Sequence, residues 1–135
     1  MILTLSCRWS SAHYYNQPAW PDEQNRQQFG KCFSKYGHGH DYKLEASWDL
    51  KDLNDIQHSQ PQLQAQLTLL VEHLDHHHLN FMIPEFKNKI PTTENLAIYC
   101  QIFLNKSLEA AGLPILRTLK LYERPDLWVE TLTSL

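Results

Sequence analysis

Along residues 38–49 the chain alternates between two kinds of position. His38, His40, Tyr42, Leu44, Ala46 and Trp48 share one parity, while Asp41, Lys43, Glu45, Ser47 and Asp49 share the other. A period of two marks a strand with one buried face, so a strand is predicted from His38 to about Leu50. Its inward face is apolar except at the first two positions, where histidines stand. Residues 2–13 alternate in the same way, with Leu3, Leu5, Cys7, Trp9, Ser11 and His13 opposed to Thr4, Ser6, Arg8 and Ser10. This first strand also ends with a histidine on its mainly apolar face. Between the two, residues 14–37 contain two prolines, two glycines and no sustained period, which predicts a long irregular excursion. Such loops are uncommon in small domains and are often functional.

After the second strand, "KDLND" is predicted as a turn into a short strand near "IQH" (56–58). A helix is predicted over "SQPQLQAQLTLLVEHL", with Ser59 as N-cap, Pro61 in the first turn, and Leu63, Leu67, Leu70, Val71 and Leu74 as its apolar stripe. "DHHHLNFMIPEFKNKI" is a connector. "PTTENLAIYCQIFLNKSLEAAG" is a second helix, capped by Thr92 and stopped by Gly112 and Pro114. A last strand covers Leu116 to Glu123, and "RPDLWVE" turns into a short tail. Strand, strand, strand, helix, helix, strand is the order of an α+β fold with helices on one face of an antiparallel sheet.

The 135 residues suit one domain, 1–135, able to bury its core without staples. A net charge of −3 gives no support for a nucleic-acid or membrane-surface partner. The cysteines, Cys7, Cys32 and Cys100, are odd in number and far apart, so a reducing compartment is expected rather than a disulfide framework. "MILTLSCRW" has neither the basic start nor the apolar length of a signal peptide, and no stretch approaches the ~20 apolar residues of a membrane span. A cytoplasmic location is the expectation. Histidine is the unusual component, with eight residues, six of them in two tight groups.

His38 and His40 lie two apart on a strand, so both imidazoles leave the same face within chelating reach. His13 ends a neighbouring strand on a face of the same kind. Three neutral imidazoles with one position left open are the usual layout of catalytic zinc. The competing reading is a set of hydrogen-bonded core histidines. The run at 76–78 is a separate matter, since at most one or two of three consecutive residues face a common site.

Cys32 follows "FGK" in the irregular stretch, six residues before His38. A zinc ion or Lys31 nearby would favour its thiolate and make it a base or nucleophile; a fourth ligand of a structural Cys-His₃ site is the alternative. Glu123 shares parity with Leu119 and Leu121, which puts a carboxylate in an inward position at a strand end. It is either a two-point anchor for a ligand with paired N–H donors or a strand end reaching solvent. Asp75 and His76 set a carboxylate beside an imidazole, as a proton relay does.

Taken in order, "WSSAH", "FGKC-x5-HGHDY", "LDHHHLN", "PTTENLAIY" and "LYERPDLW" resemble the 6-pyruvoyl-tetrahydropterin synthase family from residue 9 to 128. The resemblance implies a tunnelling fold, a four-stranded antiparallel sheet with two helices on one face, trimerising into a barrel and usually doubling to a hexamer. It implies active sites between subunits, Zn2+ on His13, His38 and His40, and the substrate 7,8-dihydroneopterin triphosphate. On the same basis the bound zinc acidifies the substrate's side-chain hydroxyls. Cys32 abstracts a carbon-bound proton, assisted by Asp75 and His76, while Glu123, with Thr92 and Thr93, clamps the pterin edge. Triphosphate leaves, and internal rearrangement gives 6-pyruvoyl-tetrahydropterin.

Five residues between Cys32 and His38 look like the biopterin-pathway branch. The 6-carboxytetrahydropterin synthases of the queuosine pathway, which also expel acetaldehyde, usually have three. A different zinc hydrolase and a non-catalytic zinc- or pterin-binding homologue are the alternatives outside that pair. Lys31, Lys35, Arg8 and the lysines of "FKNK" are equal candidates for the triphosphate. "KDLNDIQHSQPQL" departs from the family's hairpin and helix start.

Overall fold

The computed structural model describes residues 1–34 and 36–133. Strands β1 (Ile2–His13) and β2 (His38–Asp49) pair antiparallel without a slip, from Ile2 opposite Asp49 to His13 opposite His38. On the other side of β2 lies β4 (Thr118–Arg124), which turns into β5 (Leu127–Leu132). A two-residue strand, β3 (His77–His78), runs parallel beside Ser11 and Ala12. Among the described residues this makes one sheet of order β3-β1-β2-β4-β5.

Two long helices, α2 (Leu53–Leu74) and α4 (Thr93–Ala110), cover one face of the sheet. Leu63, Leu67, Leu70 and Leu74 of α2 and Leu96, Ala97, Cys100, Leu104 and Leu108 of α4 are fully buried. They meet Tyr42, Leu44, Ala46 and Trp48 of β2 and Leu119 and Leu121 of β4 in one cluster. Burying a side chain of this size stabilises by about 1.5–3 kcal/mol, so the strand parity and the two leucine-rich stripes together specify which face carries the helices.

The α+β class and the four long antiparallel strands hold, but their membership differs from the expectation. Residues 56–58 are helical, not a strand. Asp52 is the N-cap of α2, its carboxylate accepting from Asp55 N at 2.9 Å. Ser59 lies inside the helix and is buried, and Pro61 interrupts one hydrogen bond of a helix that continues on both sides. The fourth long strand is β5, in the segment expected to be a tail. It pairs with β4 residue by residue, with a register shift between Tyr122 and Arg124. The 14–37 excursion contains α1 (Asp22–Phe29) and a 3₁₀ turn, Gly30–Cys32. In the connector, α3 (Leu79–Met82) follows β3 directly. Thr92 does cap α4, its Oγ1 accepting from Asn95 N at 3.2 Å, and Gly112 follows the helix end at φ 69°. Among the described residues no helix is long and apolar enough to cross a membrane.

Candidate functional site

The β1–β2 register places His13 directly opposite His38, and the pleat returns His40 to the same face. His13 Nε2 and His38 Nε2 are 3.0 Å apart, and the three rings meet edge to face with centroids 4.6, 4.9 and 4.8 Å from one another. One ring nitrogen from each lies within 4.8 Å of the other two. His13 is fully buried, and its Nδ1 is 3.0 Å from the carbonyl of Pro91 and 3.2 Å from the Tyr42 hydroxyl. A carbonyl only accepts, so Nδ1 carries the proton and Nε2 presents a lone pair to its neighbours. Burial first, and then the other two imidazoles, push the His13 pKa down to about 3. Burial lowers His40 as well, against the pull of Glu123.

His40 Nε2 is buried without a properly aimed hydrogen bond among the described residues, although Glu123 Oε1 is only 3.1 Å away. Ligands of a tetrahedral ion at about 2.05 Å stand about 3.3 Å apart, close to the 3.0 Å between His13 Nε2 and His38 Nε2. Three imidazoles with ring nitrogens this close, one of them buried without an aimed hydrogen bond among the described residues, fit a metal ion.

Glu123 reaches this cluster from the end of β4, where the β4–β5 irregularity lies. Only 9% exposed, it accepts a 3.1 Å hydrogen bond from Thr93 Oγ1 at Oε2. Its Oε1 is 3.4 Å from His13 Nε2. The irregular segment reaches the same place through Tyr15, whose N–H donates to the Cys32 carbonyl at 2.9 Å. The Tyr15 ring stands edge-on to His13 at 5.2 Å and to Phe29 at 5.7 Å. Burial, then the negative charge of Glu123 and of a Cys32 thiolate, raise the Tyr15 phenol above its ordinary range, so it stays a hydrogen-bond donor. Thr92 serves the helix cap described above.

Asp75 and His76 lie elsewhere. Ser10 N donates to Asp75 Oδ1 at 2.9 Å, and His76 N donates to the Ser10 carbonyl at 2.7 Å, pinning the pair to the outer edge of β1. The Ser10 bond is the main reason the Asp75 carboxyl titrates below its ordinary value. Asp75 Oδ2 is 2.8 Å from His76 Nδ1. His76 is held at φ 59°, a left-handed conformation that costs a non-glycine residue of order 1 kcal/mol and concentrates at functional positions. Its ring is exposed and borders a shallow depression of about 340 Å³ that Ser10, Ser11, Ala12, Gly39, His40 and Asp41 also line. Ser10, Ala12, Gly39 and Asp41 have the parity of the helix-free face, while Ser11 and His40 have that of the imidazoles, so the depression adjoins one of the three rings. Among the described residues no hydrogen bond or ion pair joins the two groups.

A family model described as 6-pyruvoyl tetrahydropterin synthase matches residues 2–133. The chain belongs to the 6-pyruvoyl tetrahydropterin synthase family. A 6-pyruvoyl tetrahydrobiopterin synthase of Poecilia reticulata is 32% identical over 112 residues, covering 76% of this chain and 72% of that protein. That of Drosophila melanogaster is 31% identical over 127 residues, covering 92% and 74%. The solved structure of the 6-pyruvoyl tetrahydropterin synthase of Caenorhabditis elegans superposes with a TM-score of 0.88 at 24% identity, covering 99% of this chain and 96% of that one, which makes the fold the tunnelling fold. By this membership the chain is a lyase of the pterin-synthase type.

In this pterin-synthase fold the remaining site candidates spread widely. Lys31 is exposed beside Cys32, Arg8 points from the helix-free face, and Lys87 and Lys89 line a small cleft of about 60 Å³ with Tyr14 and Asn80. Lys35 lies outside the described residues. Three residues around the imidazoles have no sequence signal for this place, namely Tyr15, Tyr42 and Pro91. Tyr42 was assigned to the core by parity, and its hydroxyl is what distinguishes it. Pro91 contributes a carbonyl, which no side-chain pattern reveals.

Proposed function

We propose that this protein is a zinc-dependent synthase that eliminates triphosphate from 7,8-dihydroneopterin triphosphate to give 6-pyruvoyl-tetrahydropterin. The observation that carries the reading is Glu123, a buried carboxylate oriented by Thr93 and set against three clustered imidazoles. A metal-only centre does not need an inward acid whose second oxygen is tied to a helix start. A pterin does, because its amino-pyrimidine edge presents two adjacent N–H donors to one carboxylate.

His13, His38 and His40 would hold the zinc, which would supply Lewis acidity towards the hydroxyls of the substrate's side chain. The remaining work falls to the chain. Glu123, with Thr93 and the capping Thr92, orients the ring system. Cys32 Sγ takes a carbon-bound proton from the side chain, and Tyr15 and Phe29 exclude water beside it. Asp75 keeps the proton on His76 Nδ1, leaving Nε2 free for proton transfer. His76 of that pair lines one depression with His40, in a homotrimer or homohexamer with active sites at subunit interfaces. The three free cysteines suit a cytoplasmic enzyme.

Incubating the zinc-loaded protein with dihydroneopterin triphosphate and identifying the product by mass tests the reading. The expected products are 6-pyruvoyl-tetrahydropterin and triphosphate. A 6-carboxytetrahydropterin with acetaldehyde assigns the other branch, and no triphosphate release refutes the enzyme. Cys32→Ala is expected to keep full metal occupancy and to lose at least about 10²–10⁴-fold in turnover, the usual contribution of a positioned base. Loss of the metal instead makes Cys32 a ligand.

A further inference from the structure

The run His76–His78 gives one residue to the carboxylate pair, and its last member has a separate place. His78 stands in β3 beside Ala12, half-buried, with its ring against Phe81 at 4.4 Å and Tyr14 at 5.8 Å. Its Nε2 is 3.3 Å from the carbonyl of Tyr36, an acceptor, so Nε2 carries the proton. The other nitrogen, Nδ1, is buried without a partner among the described residues. Leaving a buried acceptor bare is costly, and an apolar side chain of this size would fill the same space without that cost. What an apolar side chain lacks is the Nε2–H directed at Tyr36.

The Tyr36 carbonyl belongs to the turn that delivers β2. Gly37 follows at φ 78°, pressed between two groups. A Cβ there would come within 2.4 Å of the His13 carbonyl oxygen and 3.0 Å of His78 Nε2. The His78 ring, the Gly37 backbone and the His13 backbone therefore form three touching layers, and His38 is the next residue along. The segment beyond His78 is anchored as well, since Asn80 makes two 2.9 Å bonds with the backbone N–H and carbonyl of Tyr14.

We propose that His78 is a positioning residue that holds the Tyr36–Gly37 turn against His13 and thereby sets the position of His38 within the imidazole trio. The proposal rests on the reading of that trio as a metal centre. Groups that orient metal ligands without touching the metal typically govern affinity by 10–100-fold.

His78→Ala and His78→Gln separate the hydrogen bond from the packing, because the Gln Nε2 restores a donor at the same reach. In the metal-free protein, the Gly37 and His38 amides are expected to exchange at least about tenfold faster in His78→Ala and to return towards the native rate in His78→Gln. Zinc competition against a chelator is expected to show about 10–100-fold weaker binding in His78→Ala, with an altered visible spectrum of the Co2+-loaded form, both largely restored in His78→Gln. Unchanged exchange, affinity and spectrum in a folded His78→Ala overturn the proposal. Equal loss in both variants overturns it too, since packing alone is then responsible. If the wild-type protein binds neither zinc nor cobalt, the metal reading fails, and the exchange rates still decide whether His78 holds the turn.

Discussion

The inward face of the β1–β2 ladder has two ends that differ in chemistry while sharing one geometry. At the Ile2–Asp49 end the pairs are Leu3 with Trp48, Leu5 with Ala46 and Cys7 with Leu44, all apolar. At the other end they are Ser11 with His40 and His13 with His38. The stacked rings of Trp9 and Tyr42, 5.5 Å apart, mark the border. Tyr42 belongs to both halves, as a buried ring packed with leucines and a hydroxyl against His13. The core end gains stability by excluding water from carbon, and the site end gives up stability by excluding water from nitrogen. The same pleat serves both purposes, so a few residues at one end turn a structural ladder into one whose imidazoles could hold a metal ion.

Substitutions at the two ends are expected to separate metal affinity from stability. His38→Ala removes one of the three proposed ligands. With a structural zinc site worth about 10–16 kcal/mol over four ligands, each accounts for about 3–4 kcal/mol. Zinc affinity is therefore expected to fall about 10²–10³-fold, measured by chelator competition, while the unfolding midpoint of the metal-free protein changes little. Leu44→Ala is the mirror case, expected to lose about 2–5 kcal/mol in denaturant unfolding while the folded fraction binds zinc with native affinity. Equal effects of both substitutions on both measurements would abolish the distinction between the ends.

The smallest effect is in the pH dependence. His13 has a folded pKa of about 3 against an ordinary value of 6.5. Between those values the unfolded chain binds a proton that the folded chain refuses, so stability is complete above pH 6.5 and declines as pH falls towards 3. For the metal-free protein the loss is expected to be about 1 kcal/mol at pH 5.5 from this group alone. His13→Gln is expected to flatten that part of the profile.

Parity made the imidazole cluster and Glu123 legible, because an inward polar residue on a strand is an anomaly wherever it occurs. Thr92 was legible because a threonine followed by an uninterrupted apolar stripe has one plausible role. The start of α2 was not. Asp52 and Asp55 read as turn residues, the first turns are glutamine-rich with little apolar period, and Pro61 imitated a first-turn proline. Strand β5 was missed for a related reason. Its residues are mostly exposed, it stabilises the sheet through cross-strand pairs with β4, and pairing leaves no trace in one segment's own pattern. The orientation of Asp75 and His76 depends on which edge of β1 the chain returns to, which is topology rather than composition.

Asn80 has a consequence for protein engineering. Its side-chain amide offers one donor and one acceptor in the arrangement of a peptide group, and both are spent on Tyr14. The end of β1 is thus tied off by a side chain from another part of the chain, independently of whatever comes next. A designer can lengthen, shorten or exchange the stretch that departs from Tyr14 and expect the strand beneath it to keep its place. The donor and acceptor that a frayed terminus would expose are already occupied.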